Sequence, residues 1–200
     1  MAHLATNASR ARTEDTIVRY LINPKASKFT VRAFATGLLS AFGHSPTIAI
    51  RDFEGDVQFT QAAGKLEDVR LDLKIQTGSL EVTDDISEKD RREMHREMRE
   101  KVLEVDHYPE IVFACSAVTA NGNGNRYWVS MDGELTLHGV THKQVVPARV
   151  VIDGENLRAS GEFPVRQSDY GIAPVTAVAG GIKLKDELKC AVDIVAAKQG

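Results

Sequence analysis

The chain has little of the chemistry that marks several common protein classes. Its 200 residues include two cysteines and one tryptophan, and acidic and basic residues nearly balance at a net charge of -3. Because the two signs are interspersed, no surface suits phosphate neutralisation, and nucleic acid is not expected as a partner. No window approaches the ~20 apolar residues of a membrane span. Cys115 and Cys190 lack paired spacing, which is typical of buried small hydrophobes and not of a disulfide or metal site.

The first sixteen residues are polar and contain no apolar run of the length that a secretory signal requires. We therefore expect a flexible tail over 1–16, a single domain over 17–200 and a cytoplasmic protein. A chain of this length encloses a sizeable core.

Catalytic and metal-binding signatures are also missing. There is no G-x-S-x-G nucleophile elbow, and Gly180 and Gly181 do not make a phosphate loop. His138 and His142 have the spacing H-x-x-x-H, but that spacing joins two imidazoles on a helix, whereas 135–142 is typical of a strand followed by a turn. We expect no catalytic residue, no metal ion and no cofactor.

Two-residue alternation is the dominant pattern of the chain. Val69, Leu71, Leu73 and Ile75 alternate with charged or polar residues, so this strand has one apolar and one polar face. The segment 36–44 is ambiguous between a short helix and a lip over a barrel mouth. The remaining predicted strands are 17–22 and 29–34, joined as a hairpin; 47–59, with a bulge or bend at Gly55; 112–118 and 126–137, joined by an exposed tip at 121–125; and 145–152, 157–166 and 182–195.

One amphipathic helix is predicted over 87–103. Ser87 with Asp90 resembles a capping box, and Met94, Met98 and Val102 form a narrow apolar stripe on an otherwise polar helix. Such a stripe indicates packing along one edge of the helix, although methionine also adapts to flexible apolar ligands.

The order of several segments resembles the YceI-like family. These segments are YLINPKASKFTVRAF, GHSPTIAIRDFEGDVQF, ISEKDRREMHREMREKVLEVDHYPEIVF, GELTLHGVTH and FPVRQSDYGI, and the similarity extends from Tyr20 to Val195. The resemblance implies a mainly β fold, an antiparallel lipocalin-like β-barrel of about eight strands with the helix packed against it. It also implies a channel that binds an extended amphiphile such as a polyisoprenoid, an isoprenoid quinone or a fatty acyl chain. Many members of that family are exported, and because 1–16 contain no apolar run typical of a secretory signal, we expect this chain to depart from them.

Candidate channel residues follow from the alternation of the strands. For each of them, ordinary core packing is the competing interpretation, because a shift of one residue reverses the two faces. Leu38 and Phe42 belong to the ambiguous lip, and His44 would either donate a hydrogen bond to a headgroup or bond to loop backbone. The cluster 166–170 would order a loop at a barrel end or contact a headgroup. The strand candidates are Phe29, Val31, Ile48, Ile50, Val69, Leu71, Leu73, Ile75, Phe113, Cys115, Tyr127, Val129 and Met131.

Three functional hypotheses remain. The first is a protein that sequesters or transports a long-chain lipid, with transient membrane contact through the lip at 38–42. The second is an enzyme acting on an apolar substrate, which would need a titratable pair inside the channel. The third is a structural barrel filled by its own side chains. An apolar lip or an exposed barrel edge would also suit a homodimer.

Overall fold

The computed structural model describes residues 16–36, 45–62, 65–174, 176–177 and 182–200. The fold is mostly β-structure, as the alternation predicts. Its strands are β1 Thr16–Ile22, β2 Lys28–Arg32, β3 Ala35–Thr36, β4 Thr47–Ile50, β5 Phe53–Ala62, β6 Lys65–Gln76, β7 Leu80–Val82, β8 Glu110–Asn123, β9 Arg126–Leu137, β10 Val140–Asp153, β11 Asn156–Arg166, β12 Thr176–Ala177, β13 Ile182–Leu184 and β14 Glu187–Lys198.

Eight of these strands form a closed antiparallel barrel in the order β1-β5-β6-β8-β9-β10-β11-β14, and a pairing between β1 and β14 closes it. The strands β2, β4 and β7 extend the same sheet from β14, and β12, β13 and β3 form a separate small sheet. The predicted lipocalin-like barrel is therefore confirmed. Closure pairs the first strand of the barrel with the last one, so the two long edges of an open sheet, which could pair with other chains, are removed.

The predicted hairpin between the first two strands is wrong. Both β1 and β2 pair with β14, through Tyr20 to Ile22 and through Lys28 to Arg32 respectively. A turn interrupts the edge that β1 and β2 together present to β14. In this turn the Ser27 hydroxyl accepts from the backbone N–H of Val195 at 2.9 Å and donates to the carbonyl of Asn23 at 2.7 Å. Asn23, Pro24 and Lys25 form a turn-forming cluster that correctly predicts a break between the two strands, but the chain does not reverse there.

A similar break separates β4 from β5. Arg51 and Asp52 lie between these strands, and β4 continues the pairing of β5 by binding β7 where β5 binds β6. The predicted interruption at Gly55 falls elsewhere, because Gly55 pairs regularly with Leu73. Its lack of a side chain instead allows close approach, since a Cβ there would lie 2.3 Å from the carbonyl oxygen of Asp72.

The predicted helix is confirmed as α1, Glu88–Glu97, followed by a π-helical turn, Met98–Val102. Ser87 caps it by accepting a hydrogen bond from the backbone N–H of Asp90. Met98 and Val102 pack against the barrel core, and Leu103, which ends the turn, is buried. In the described part of the chain, no helix is long and apolar enough to span a membrane.

Gly161 marks a point where two barrel strands approach closely. A Cβ at this position would lie 2.3 Å from the carbonyl oxygen of Pro147 on β10, and backbone cannot move aside as a flexible side chain can. We expect Gly161→Ala to destabilise the fold by about 1–3 kcal/mol, as overpacking of cores does. Thermal unfolding measures the change, with Ser160→Ala on the same strand as the control. An unchanged melting temperature for Gly161→Ala would contradict the close approach.

Candidate functional site

The barrel encloses an apolar cavity of about 220 Å³. In the described residues, Gln144 is the only wall residue with an amide or charged side chain. The wall comprises Ile22, Phe29, Val31, Ile50, Val57, Phe59, Leu66, Val69, Leu71, Leu73, Ile75, Leu80, Leu103, Ile111, Phe113, Val118, Val129, Met131, Leu135, Leu137, Gln144, Val146, Ala148, Val150, Leu157, Ala159, Phe163, Val165, Leu188, Cys190, Val192, Ile194 and Ala196.

Most of the candidates from the strand alternation lie on this wall. Because neighbouring strands are in register, their inward faces form one continuous surface. Leu71, for example, pairs with Cys115, which pairs with Gly133. The candidates on the wall are Phe29, Val31, Ile50, Val69, Leu71, Leu73, Ile75, Phe113, Val129 and Met131.

Three candidates are placed beside the cavity instead of on its wall. Ile48 is partly buried and packs against the core. Cys115 is buried beside the bulge of β8, where its thiol donates to the carbonyl of Asp132 at 3.4 Å. Tyr127 is buried and its hydroxyl donates to the carbonyl of Gly124 at 3.0 Å. The remaining candidates, Leu38, Phe42 and His44, lie outside the described residues, as does most of the proposed lip.

Aromatic side chains close the barrel at the end that carries the tips between β8 and β9 and between β10 and β11. The rings of Tyr20 and Phe59 stack with their centroids 5.7 Å apart, and Tyr127 belongs to the same buried cluster. The hydroxyl of Tyr20 donates to the carbonyl of Gly154 in the tip between β10 and β11. Two tyrosines thus bury their rings while their hydroxyls satisfy turn backbone, as buried tyrosine requires.

The opposite end of the barrel faces the helix. Leu80 and Leu103 line the cavity there, together with Leu137 at the end of β9. Met98 and Val102 of the π-helical turn pack against the core without lining the cavity, and Leu103, directly after that turn, reaches the wall.

Many wall residues were absent from the sequence-derived candidate set. They come mainly from β10, β11 and β14, where the alternation that would have identified them is present in the predicted strands. Val146, Ala148 and Val150 on β10 are examples, and so are Phe163 and Val165 on β11. The sequence contains their alternation, but it does not show the strand pairing that brings β10, β11 and β14 around the barrel to face β6.

Neither cysteine has an environment that activates a thiol. Burial raises the pKa of Cys190 to about 12, and burial likewise raises the pKa of Cys115. A nucleophilic cysteine needs the opposite shift. Cys190 is also the only titratable side chain on the described part of the cavity wall.

The two histidines of the H-x-x-x-H spacing face different neighbours. His138 lies in the tight turn between β9 and β10, and its ring centroid is 4.3 Å from that of Tyr108. His142 instead contacts Tyr170, with the ring centroids 5.4 Å apart. Within the described ranges, no group of three or more His, Cys, Asp or Glu side chains is arranged to hold a metal ion.

The polar cluster at 166–170 orders a loop. Gln167 is buried, and its side-chain amide donates to the carbonyl of Lys185 at 3.0 Å. Ser168 donates through its backbone N–H and its hydroxyl to the carboxylate of Asp186, which lowers the pKa of that carboxyl group. This geometry favours the loop-ordering interpretation of the cluster.

A closed barrel around an apolar cavity defines a lipocalin-like class of protein. The YceI-like domain model matches residues 20–196, so the chain belongs to the YceI-like family. A comparison with curated proteins finds no match.

Solved structures show the same fold at low sequence identity. BcnA of Burkholderia cenocepacia has a TM-score of 0.67 and 20% identity, and the similarity covers 88% of this chain and 99% of BcnA. A polyisoprenoid binding domain from Saccharophagus degradans, implicated in plant cell wall breakdown, has a TM-score of 0.64 and 12% identity, covering 90% of this chain and 98% of that domain. The YCEI protein of Campylobacter jejuni has a TM-score of 0.56 and 18% identity, covering 76% and 84% of the two chains.

Burial of the cysteines predicts slow thiol chemistry in the folded protein. With its pKa raised to about 12 by burial, the Cys190 thiol stays protonated at pH 8 and is a poor nucleophile. We expect iodoacetamide to modify neither cysteine appreciably in the native protein and both after unfolding in guanidinium chloride. Mass spectrometry measures the modification, and Cys190→Ser isolates the reactivity of Cys115. Rapid native alkylation of Cys190 would contradict the burial.

Proposed function

We propose that this protein binds an extended amphiphilic lipid in the barrel cavity and sequesters or transports it without chemical conversion. The chemical classes that suit the cavity are polyisoprenoids, isoprenoid quinones and fatty acyl chains. The observation that carries the proposal is the apolar wall, because 32 of its 33 described residues have aliphatic, aromatic, thioether or thiol side chains. The Saccharophagus degradans relative, described as a polyisoprenoid binding domain, supports the same class of ligand.

The energetic cost of the cavity supports a ligand. At ~24 cal/mol per Å³, an empty apolar cavity of about 220 Å³ costs on the order of 5 kcal/mol. Domains have a net stability of only about 5–15 kcal/mol, so this cost is large. Each methylene buried in such a space contributes ~0.8 kcal/mol before the lost flexibility of the chain is subtracted. A bound hydrocarbon chain would therefore recover much of the cost of the space.

The size of the cavity limits what it encloses. An apolar cavity of ~150 Å³ binds benzene, so the barrel accommodates a slender segment of chain. The rest of a longer lipid would lie outside this cavity. The ten strand candidates that lie on the wall are the proposed contacts of the enclosed segment: Phe29, Val31, Ile50, Val69, Leu71, Leu73, Ile75, Phe113, Val129 and Met131.

Two alternative functions are less well supported. A barrel filled by its own side chains would lack the cavity. An enzyme would need a general acid or base near an apolar substrate, and the described wall offers only the Cys190 thiol with its raised pKa. We further propose that 17–200 acts as one cytoplasmic binding domain, with transient membrane contact through 38–42 and self-association as a homodimer.

The direct test is to identify the lipid. We expect the organic extract of protein purified without detergent to contain a stoichiometric lipid by mass spectrometry, and its mass to separate a polyisoprenoid from a fatty acyl species. The control is an unrelated protein prepared in parallel. A blank extract that stays blank after incubation with mixed quinones and fatty acids would refute the proposal.

A cavity-filling substitution provides the second test. Ala148 is buried on the cavity wall, and Ala148→Phe would project a ring into the space. We expect lipid content to fall at least about tenfold while the fold is retained, because filling a cavity commonly stabilises a protein. Ala114→Phe is the matched control, since Ala114 is exposed on the outer face of β8. Equal lipid content in the two variants would place the ligand elsewhere.

A further inference from the structure

Trp128 is an exposed aromatic residue on the outer face of the barrel. Its neighbours Tyr127 and Val129 are buried, so the two-residue period of β9 turns Trp128 outward, where it is 62% exposed. Tryptophan is amphipathic and is concentrated where a surface meets a partner. Among the described residues, the other exposed large apolar side chains are Ile17, Leu21 and Val145.

Two arginines flank Trp128. Arg149 lies directly opposite it on β10, and the guanidinium carbon is 4.4 Å from the centroid of the Trp128 ring, which is a cation–π contact. Arg126 precedes Trp128 on the same outward face of β9. In the part of the chain that the structure describes, neither of these arginines has an ion-pair partner, whereas Arg158 on β11 is bound to Asp193.

Strand pairing gives this region one sign of charge, although the two signs are interspersed along the chain. The outward positions are 126, 128 and 130 on β9 and 147, 149 and 151 on β10, and they include two arginines and no carboxylate. Asp132 and Asp153 are exposed carboxylates at the two margins of this region. The charges of the two arginines are therefore available to an anionic partner.

Apolar side chains extend the exposed area beside Trp128. Pro147 follows along β10 from Arg149 and is exposed, and Val145 beyond it is 50% exposed. The result is a continuous strip of apolar and basic groups on two paired strands. We call it the Trp128 surface, and it consists of Arg126, Trp128, Val145, Pro147 and Arg149.

This combination of groups matches the boundary of a charged bilayer. The amphipathic ring of tryptophan settles at the level of the lipid headgroups. Basic residues near an anionic leaflet are attracted to its surface. We infer that the Trp128 surface docks the protein on an anionic phospholipid membrane, with the indole ring of Trp128 at the headgroup level and Arg126 and Arg149 on the anionic headgroups.

The barrel wall beside the Trp128 surface favours a membrane over an acidic protein as the partner. β8 lies next to β9, and within the described residues its stretch 116–123 does not pair with β6. Val118 in this stretch and Val69 in the unpaired part of β6 both line the cavity. Docking would therefore bring an unpaired part of the wall close to a bilayer that can supply lipid. The choice of a membrane rests in this way on the proposed lipid-binding function.

The fluorescence of Trp128 tests the inference directly, because the chain has no other tryptophan. The probes are vesicles of phosphatidylglycerol and phosphatidylcholine in equal parts, and vesicles of phosphatidylcholine alone. We expect the anionic vesicles to shift the emission of Trp128 to shorter wavelengths and to protect it from quenching by acrylamide. The neutral vesicles are expected to do so much less, and added salt to weaken the effect, because it screens the two arginines.

Co-sedimentation with the anionic vesicles measures the affinity of variants without relying on tryptophan. We expect Trp128→Ala to lower the affinity about tenfold, and Arg126→Gln and Arg149→Gln to lower it about fivefold each. Ile17→Ala is the matched control, because Ile17 is also a large exposed apolar residue but lies on β1, which β5, β6 and β8 separate from β9. Circular dichroism checks the fold of each variant, and the two arginine variants test the surface even if Trp128→Ala does not fold.

Several outcomes would overturn the inference. Unchanged Trp128 emission with anionic vesicles is one, and equal losses of affinity in Trp128→Ala and Ile17→Ala are another. Vesicle affinity that Trp128→Ala retains would assign membrane contact to another segment, such as 38–42. An emission shift with polyglutamate or RNA but not with vesicles would assign the surface to an acidic macromolecule.

The organic extract separates this inference from the lipid-binding function. A protein whose extract contains a stoichiometric lipid but which does not bind anionic vesicles would overturn the docking alone. Docking through Trp128 by a protein whose extract stays blank after incubation with lipids would support the surface and count against the lipid-binding function of the cavity.

Discussion

The whole structure depends on the pairing of the last strand along both of its edges. β14 pairs with β11 from Glu187 to Ala197 on one side. On the other side it pairs with β2 and then with β1, so the final strand meets the first one. Without this pairing the sheet would have two exposed edges and no interior. The cavity is therefore a consequence of long-range contacts between the two ends of the chain, which are the contacts that cost the most loop-closure entropy to form.

Closure is not uniform around the barrel. β6 and β8 pair only from Leu71 opposite Cys115 onward, and β10 pairs with β11 only near their shared tip. Beside the unpaired part of β10, Tyr170 packs against His142, and Ile172 is buried in the same core as Phe163. The loop that Gln167 and Asp186 order thus has a structural task, because it covers a stretch of strand that no neighbour binds.

The sequence was enough to predict the strands, their inward faces and the helix, but not which strands pair with each other. Alternation is a local property, so it correctly indicated the inward face of β6, and the capping residue Ser87 correctly indicated the start of the helix. The prediction that β1 and β2 form a hairpin was wrong for a physical reason. A turn-forming cluster shows that the strand is interrupted, but whether the chain reverses there depends on which strand it meets, and that strand, β14, lies more than 150 residues away.

The cavity wall shows the same limit in more detail. Alternation along β8 and β9 predicts that Cys115 and Tyr127 face the channel, but both lie beside the cavity. Cys115 lies at a β-bulge, and the Tyr127 hydroxyl donates to the turn carbonyl of Gly124. Gln144 was missed for the opposite reason, because polar residues at inward positions near the start of β10 hide the alternation and move the predicted start to Val145. Its parity becomes visible only when Gly133 and Val146 fix the register. A polar residue that breaks the pattern of a strand is thus the hardest kind to assign from sequence, because only the register of the neighbouring strands shows which face it belongs to.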